Sequence, residues 1–345
     1  MEQVLENIYR IEIPLPKNPL KALYSYLVVG DKRNLLIDTG FNHPECEKAM
    51  RNALDAIGIS MDDTDIFLTH LHADHTGLTS KLMTPTTKVY IEPGEGRTVN
   101  AFLTHAYWAE LLKFQDYMGM PKNVQLERNI HPAHKYCNDF AIDFVSIQEG
   151  DVLTVGKYRF EAVDLAGHTP GQLGLWDAAQ GLLISGDHIL AKITPNIGLW
   201  DFKTDYLGLF MDNLRKVRNM PVKILLSAHR QPVENVNQRI DELLKHHENR
   251  LNEACEILMT GEKCVYDVSR EMKWDYGGGD FEAFPAMQKW FAAMEVFAHL
   301  EHLYRTGRVL RKVKKEVYIY YSFCVKNHLV FFKRVKYEME YFRRC

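Results

Sequence analysis

Ile66-Phe67-Leu68-Thr69-His70-Leu71-His72-Ala73-Asp74-His75-Thr76-Gly77 sets four metal-type side chains, His70, His72, Asp74 and His75, within six residues at the end of an apolar run. Ile66 to Leu68 reads as a short buried strand, and His70 and His72, two apart, project to one side as the chain leaves it. Imidazole and carboxylate are ligands for zinc, iron or manganese, and holding two such ions a few Å apart needs a compact source of ligands with little backbone freedom. The competing reading is a polar loop that happens to be histidine-rich. It accounts for a lone HxH but poorly for the pattern HxHxDH.

That pattern resembles the signature of the metallo-β-lactamase superfamily. The resemblance implies an α/β fold, a four-layer αβ/βα sandwich whose two sheets deliver their ends to one cleft. It also implies a binuclear centre of two divalent ions, zinc first and iron or manganese as alternatives. His168, in Ala166-Gly167-His168-Thr169-Pro170-Gly171-Gln172 after an apparent strand Tyr158 to Leu165, matches the family's third histidine and would share an ion with His70 and His72. Asp187, in Ser185-Gly186-Asp187-His188, takes the place of the family's bridging carboxylate. His229, after the apolar run Lys223 to Ser227, matches the final histidine and would share the second ion with Asp74 and His75. Leu35-Leu36-Ile37-Asp38-Thr39-Gly40 is also family-like, so Asp38, with Thr69, is expected to support a ligating histidine from behind. A turn residue capping the next segment is the other reading of Asp38. His188 follows Asp187 on an extended chain and should face away from it; it is retained as a candidate substrate contact.

Around these motifs the chain reads as short strands (Asn7 to Leu15, Leu23 to Gly30, Asn34 to Asp38) in an antiparallel meander, then a helix Pro44 to Ile57 stopped by Gly58. Gly77 and Leu78 are expected to open a further helix. Residues 95–120 turn helical and form an insertion beside the metal site. Its Tyr107, Trp108 and Phe114 are core-type aromatics that could instead form an apolar substrate wall. The catalytic domain is expected over 1–235. Residues 236–321 follow as helix, helix, helix and two strands, a layout that resembles a winged helix, with a loop Tyr276 to Asp280 inside it. His246 and His247 are expected on the solvated face of the first of these helices. A basic aromatic tail, 322–345, completes the chain.

At 345 residues and 46% hydrophobic, the chain is long enough for one large core and a second small one. No run reaches the roughly 18 apolar residues of a membrane span, and the first residues carry Glu2 and Glu6 rather than a secretory apolar stretch. The six cysteines lie far apart with no CxxC pair, which fits a reducing cytoplasm better than a disulfide scaffold. A net charge of −3 conceals an asymmetry: residues 305–345 hold 12 Lys or Arg against 3 Asp or Glu, leaving −12 on the remainder.

Two ions bridged by Asp187 would lower the pKa of a shared water towards about 7 and so supply a hydroxide nucleophile. Asp74 would orient the second ion and receive a proton. The expected reaction is hydrolysis of a carbonyl ester, a thioester first because the His70 and His168 motifs are similar to those of glyoxalase II-type enzymes. A metal-dependent nuclease or endoribonuclease using the basic C-terminal region is the alternative, although the acidic body would repel a polyanion. Lactonase and persulfide dioxygenase remain as other branches. An oxygen-reducing diiron centre is disfavoured by His72, where that branch has Glu, and an antibiotic β-lactamase by Asp74 and the insertion. The expected partners are a small ester or thioester and, through the C-terminal domain, a second copy of the chain. A membrane is not expected, and nucleic acid is not favoured.

Overall fold

The computed structural model describes residues 1–275 and 281–323. The Tyr276 to Asp280 loop and the tail from residue 324 onward lie outside the described residues.

The N-terminal half builds one sheet. Strands β1 (Glu2–Leu5), β2 (Ile8–Pro14), β3 (Ala22–Val28) and β4 (Asn34–Ile37) pair antiparallel, as the meander reading expects. Helix α1 (Pro44–Ile57) then returns the chain, so that β5 (Thr64–Phe67) pairs parallel with β4. Its ends follow from local chemistry. The His43 ring accepts the Glu45 N–H, Pro44 stands where no donor is needed, and Gly58 closes the helix at φ +76°.

Two single turns follow, α2 (Ala73–Thr76) and α3 (Thr79–Leu82), before β6 (Val89–Ile91). The helix expected to open at Gly77 and Leu78 is α3, with Leu78 at its N-cap; α2 precedes it, so Asp74 and His75 sit on a helical turn that was not expected. The expected insertion is α4 (Pro93–Ala101) and α5 (His105–Tyr117), followed by a short α6 (Pro132–Lys135) and β7 (Val145–Ser146), the last strand of the first sheet.

The second sheet comprises β8 (Val152–Val155), β9 (Tyr158–Asp164), β10 (Leu173–Asp177) and β11 (Leu182–Gly186); after α7 (Tyr206–Arg218), β12 (Ile224–Ser227) joins β11 in parallel. Phe67, Val28 and Ile37 from the first sheet meet Phe160, Leu175 and Ile184 from the second in a common buried layer. Each such side chain stabilises the fold by about 1.5–3 kcal/mol. Helix α1 packs outside the first sheet and α7 outside the second, which makes the four layers.

The remaining elements are α8 (Val236–Leu258), β13 (Lys263–Cys264), α9 (Val265–Glu271), α10 (Ala286–Arg305), β14 (Leu310–Lys314) and β15 (Val317–Tyr321), with the three strands in one small sheet. Helices α8 and α10 share an apolar core with α7 and the outer face of the second sheet. His247 belongs to that core. It is fully buried, with Nδ1 3.1 Å from Nε2 of His299 and its ring edge-on to Phe210, which corrects the expectation of a solvated face. Its charged neighbours Lys245 and Glu248 hid the fact that it lies four residues past Leu243, on the buried stripe of α8. No helix of the described residues is long and apolar enough to cross a membrane.

Candidate metal centre

Strand ends deliver the candidate ligands. His70, His72, Asp74 and His75 follow β5, His168 follows β9, Asp187 follows β11 and His229 follows β12. Strands β9, β11 and β12 run the same way, so their carboxyl ends open at one edge. Cross-sheet bonds pin that edge to the first sheet. Leu173 N–H donates to Thr69 O at 2.9 Å, Tyr24 N–H to Ala228 O at 2.7 Å, and the Tyr26 hydroxyl to Ser227 O at 2.7 Å.

Seven side chains converge as two overlapping groups. Nδ1 of His72 lies 3.0 Å from Nε2 of His70 and 3.0 Å from Nε2 of His168. A tetrahedral zinc at its usual 2.0–2.1 Å would set its nitrogen ligands roughly 3.3 Å apart, so these three rings surround a space of ionic size. On the other side, Nε2 of His229 is 3.5 Å from Oδ2 of Asp74, and Nε2 of His75 is 3.9 Å from the same oxygen. Asp187 stands between the groups. Its Oδ1 faces Nε2 of His229 at 3.4 Å and of His75 at 3.6 Å, while its Oδ2 faces Nε2 of His168 at 3.7 Å.

The rings are oriented from behind. Nδ1 of His75 is 2.8 Å from Asp38 Oδ2, Nδ1 of His229 is 2.8 Å from Ala22 O, and Nδ1 of His168 is 2.7 Å from Asn196 O. Nδ1 of His70 meets the Thr69 hydroxyl at 2.9 Å, and that hydroxyl donates to Asp38 at 2.9 Å. These acceptors assign the proton to Nδ1 in each ring and leave the Nε2 lone pair directed inward. Nε2 of His75, Nε2 of His229 and Oδ1 of Asp187 are buried without any hydrogen-bond partner. Buried polar atoms rarely stand alone, and a shared cation would satisfy all three.

Electrostatics divide the site. Burial holds His72 down to about 3 and keeps His70 and His168 below the ordinary histidine range, so all three are neutral donors at neutral pH. Burial acts against charge on His75 and His229 too, but the carboxylates beside them, Asp38, Asp187 and Asp74 for the first and Asp187 and Asp74 for the second, outweigh it and raise both. Burial likewise works against the Asp187 and Asp74 carboxylates, yet His229 and His75 hold both below the usual range. The carboxylate-rich half therefore favours positive charge, which suits a divalent ion.

The chain matches the family model described as "Metallo-beta-lactamase superfamily" over residues 21–229. The chain belongs to that superfamily. It is similar to a probable metallo-hydrolase, YqjP, of Bacillus subtilis, at 23% identity over 77% of this chain and 85% of that protein. An atrochrysone carboxyl ACP thioesterase of Emericella nidulans is 23% identical over 70% of this chain, which spans 61% of that longer protein. Among solved structures, a metallo-beta-lactamase family protein from Thermus thermophilus superposes with a TM-score of 0.79 at 26% identity, covering 92% of this chain and 99% of its own. This superfamily member is thus a metallo-hydrolase, with His/Asp groups that could hold divalent metal.

The expected substrate residues lie in different places. Trp108 is 2% exposed, donates Nε1–H to Phe102 O at 2.8 Å and is edged by His131 and His134, so it is a core residue rather than part of a substrate wall. His188 is likewise enclosed against Phe210; it lies in a turn, its N–H donating to Ser185 O at 3.1 Å, and not on the extended chain expected of it. Phe114 stacks on Phe202 towards the C-terminal helices, and Tyr107 is half-buried beside Phe102.

Two residues not singled out in the sequence stand at the site. The half-buried Trp200 ring lies 6.1 Å from that of His72, and its Nε1–H donates to His168 O at 3.2 Å. Glu95 is buried in the first turn of α4; its carboxylate accepts the Leu71 N–H at 2.6 Å and the Gly171 N–H at 2.8 Å, tying the two histidine turns together. An acid in a helix's first turn ordinarily reads as a dipole partner, which concealed this role.

Proposed function

We propose that this metallo-hydrolase uses two divalent ions, zinc first, to hydrolyse a carbonyl ester, with a thioester as the leading substrate class. The observation that carries the reading is Asp187, whose two oxygens face separate ligand groups: His229 and His75 on one side, His168 on the other. In this proposal His70, His72 and His168 would hold one ion, Asp74, His75 and His229 would hold the other, and Asp187 would contribute to both. Divalent ions there supply a water activated near neutral pH and a Lewis acid for the substrate carbonyl.

The chain's own residues supply orientation and charge. Asp38 fixes His75 and, through Thr69, His70, so the ligands need little rearrangement on binding. Asp74, buried beside His229 with its pKa held down to about 2, stays a carboxylate and so would offer the second ion a charged ligand. The Trp200 ring gives the His72 side of the cleft an apolar wall suited to an acyl or thiol portion.

Relatives named as acyl-carrier-protein thioesterases support the thioester reading. Against a nuclease, much of the described basic stretch is already engaged. Arg311 pairs with Glu301, Lys312 with Glu262 and Arg308 with Glu248, which weakens a phosphate-tracking surface. The test is a panel of thioesters, lactones and short RNA against the Zn, Mn and Fe forms, with metal content measured in parallel. Fast thioester cleavage without RNA cleavage is expected; RNA cleavage alone would reverse the assignment.

A further inference from the structure

The segment that leads from Asp187 to α7, residues 190–205, is gripped at five points by the C-terminal helices. Arg239 of α8 donates to Leu190 O at 2.7 Å and to Ile193 O at 3.0 Å. The Asn196 side-chain amide donates to Phe291 O at 3.2 Å and to Glu295 Oε2 at 3.0 Å, both on α10. Near the end of α10, Arg305 donates to Phe202 O at 2.6 Å and His302 meets Asp205 Oδ2 at 2.8 Å.

The same segment holds His168 from two directions. Asn196 O takes the Nδ1–H of the ring at 2.7 Å, and Trp200 Nε1–H donates to the His168 main-chain oxygen at 3.2 Å. Asn196 is thus a two-ended link, with its side chain fixed to α10 and its carbonyl fixed to the imidazole. Glu295 is itself held in place. Its Oε1 lies 3.8 Å from Arg250 Nε, and the Arg250 guanidinium is anchored by Lys273 O at 2.7 Å, by Glu253 at 2.8 Å and by the Trp274 ring at 4.3 Å.

We infer that the C-terminal helices are a working part of the metal centre: α10, through Glu295 and Asn196, sets the orientation of His168, and Asn196 and Glu295 are positioning residues for the three-histidine group. The inference rests on the two-metal reading above. An imidazole free to turn about two side-chain bonds offers its lone pair in many directions. A fixed acceptor at Nδ1 removes that freedom and selects the tautomer that can ligate. Here the acceptor is a loop carbonyl, and its position is only as firm as the contacts Asn196 makes with α10. Ile197, Leu199 and Trp290 belong to the same apolar core, so a shift of α10 would carry the segment with it.

The experiment measures zinc stoichiometry and affinity by chelator competition on the full chain, comparing wild type with Asn196→Ala, Glu295→Ala, Glu295→Gln and Val268→Ala. The first two are expected to lose about tenfold in affinity for one of two zinc equivalents, the low end of the cost of losing a ligand's supporting partner, because the Asn196 carbonyl remains and only its anchor on α10 is removed. Glu295→Gln should retain near wild-type affinity, because its side-chain oxygen still accepts from Asn196. Val268→Ala, in the buried face of α9, should lower the melting temperature and leave zinc affinity unchanged. Wild-type affinity in both Asn196→Ala and Glu295→Ala would overturn the inference, as would an equal loss in Val268→Ala. Should Asn196→Ala fail to fold, the Glu295→Ala and Glu295→Gln pair decides it. A wild-type chain that binds no zinc would instead overturn the metal centre itself.

Discussion

Nδ1 of His75 lies 2.8 Å from the Asp38 carboxylate, which also accepts the Thr69 main-chain N–H at 2.8 Å and the Thr69 hydroxyl at 2.9 Å. One buried acid therefore supports candidate ligands of both ions, His75 directly and His70 through Thr69. Asp38 itself sits at φ +59°, a left-handed conformation that Asp and Asn adopt more easily than other side chains. Asp38→Asn keeps the backbone tolerance and removes the charge. It is expected to fold normally by circular dichroism and to lose about 10–100-fold in metal affinity, read as metal per chain after dialysis. Undiminished metal content would show that the carboxylate is only a turn residue.

Glu95, which ties the two histidine turns together without being a candidate ligand itself, offers a pH signature. Burial lifts its carboxyl from 4.5 to about 7, against the lowering effect of the Gly171 and Leu71 N–H groups. A raised folded-state pKa means that the native chain holds a proton the unfolded chain has released. The contribution is complete below about 4.5 and lost as pH rises through about 7. On metal-free protein, Glu95→Gln is therefore expected to flatten the fall in stability across this window, by at most about 1.4 kcal/mol per pH unit. Melting temperatures of both chains from pH 5 to 8 check this; parallel curves would contradict it.

The two tryptophans should separate stability from substrate binding. Trp108→Ala opens a cavity in the core and is expected to cost about 3–5 kcal/mol in denaturant unfolding, with KM unchanged for the folded fraction. Trp200→Phe keeps an apolar ring beside His72, whereas Trp200→Ala removes it and is expected to raise KM for an apolar thioester about tenfold. Equal KM values for the two Trp200 variants would remove that ring from the substrate wall.

Local signals made much of this molecule readable. The ligands after β5 are packed into one turn, and the strands that lead to His168, Asp187 and His229 are short apolar runs closed by Gly or Ser, so spacing and family resemblance located them together. Helix α1 was legible for the same reason, with its Pro44 start and Gly58 stop carried in the chain itself. The contacts that orient the centre were not. Asn196 meets His168 across 28 residues and Glu295 across 99, and neither pairing leaves a periodic trace in the sequence. Aromatic spacing on α5 could not distinguish a core Trp108 from a wall residue, because both readings want an apolar ring on that helix face. His247 was hidden by charged neighbours on a helix whose buried stripe is decided by packing against Phe210 and His299.

The central claim is that two ions, shared through Asp187, drive hydrolysis. It is tested most directly by measuring zinc content and thioester turnover together in wild type, His72→Ala and Asp187→Ala. Two equivalents of zinc with turnover in the wild type are expected, and loss of bound metal together with at least about a 100-fold fall in turnover in each variant. Full turnover by metal-stripped Asp187→Ala would contradict the account.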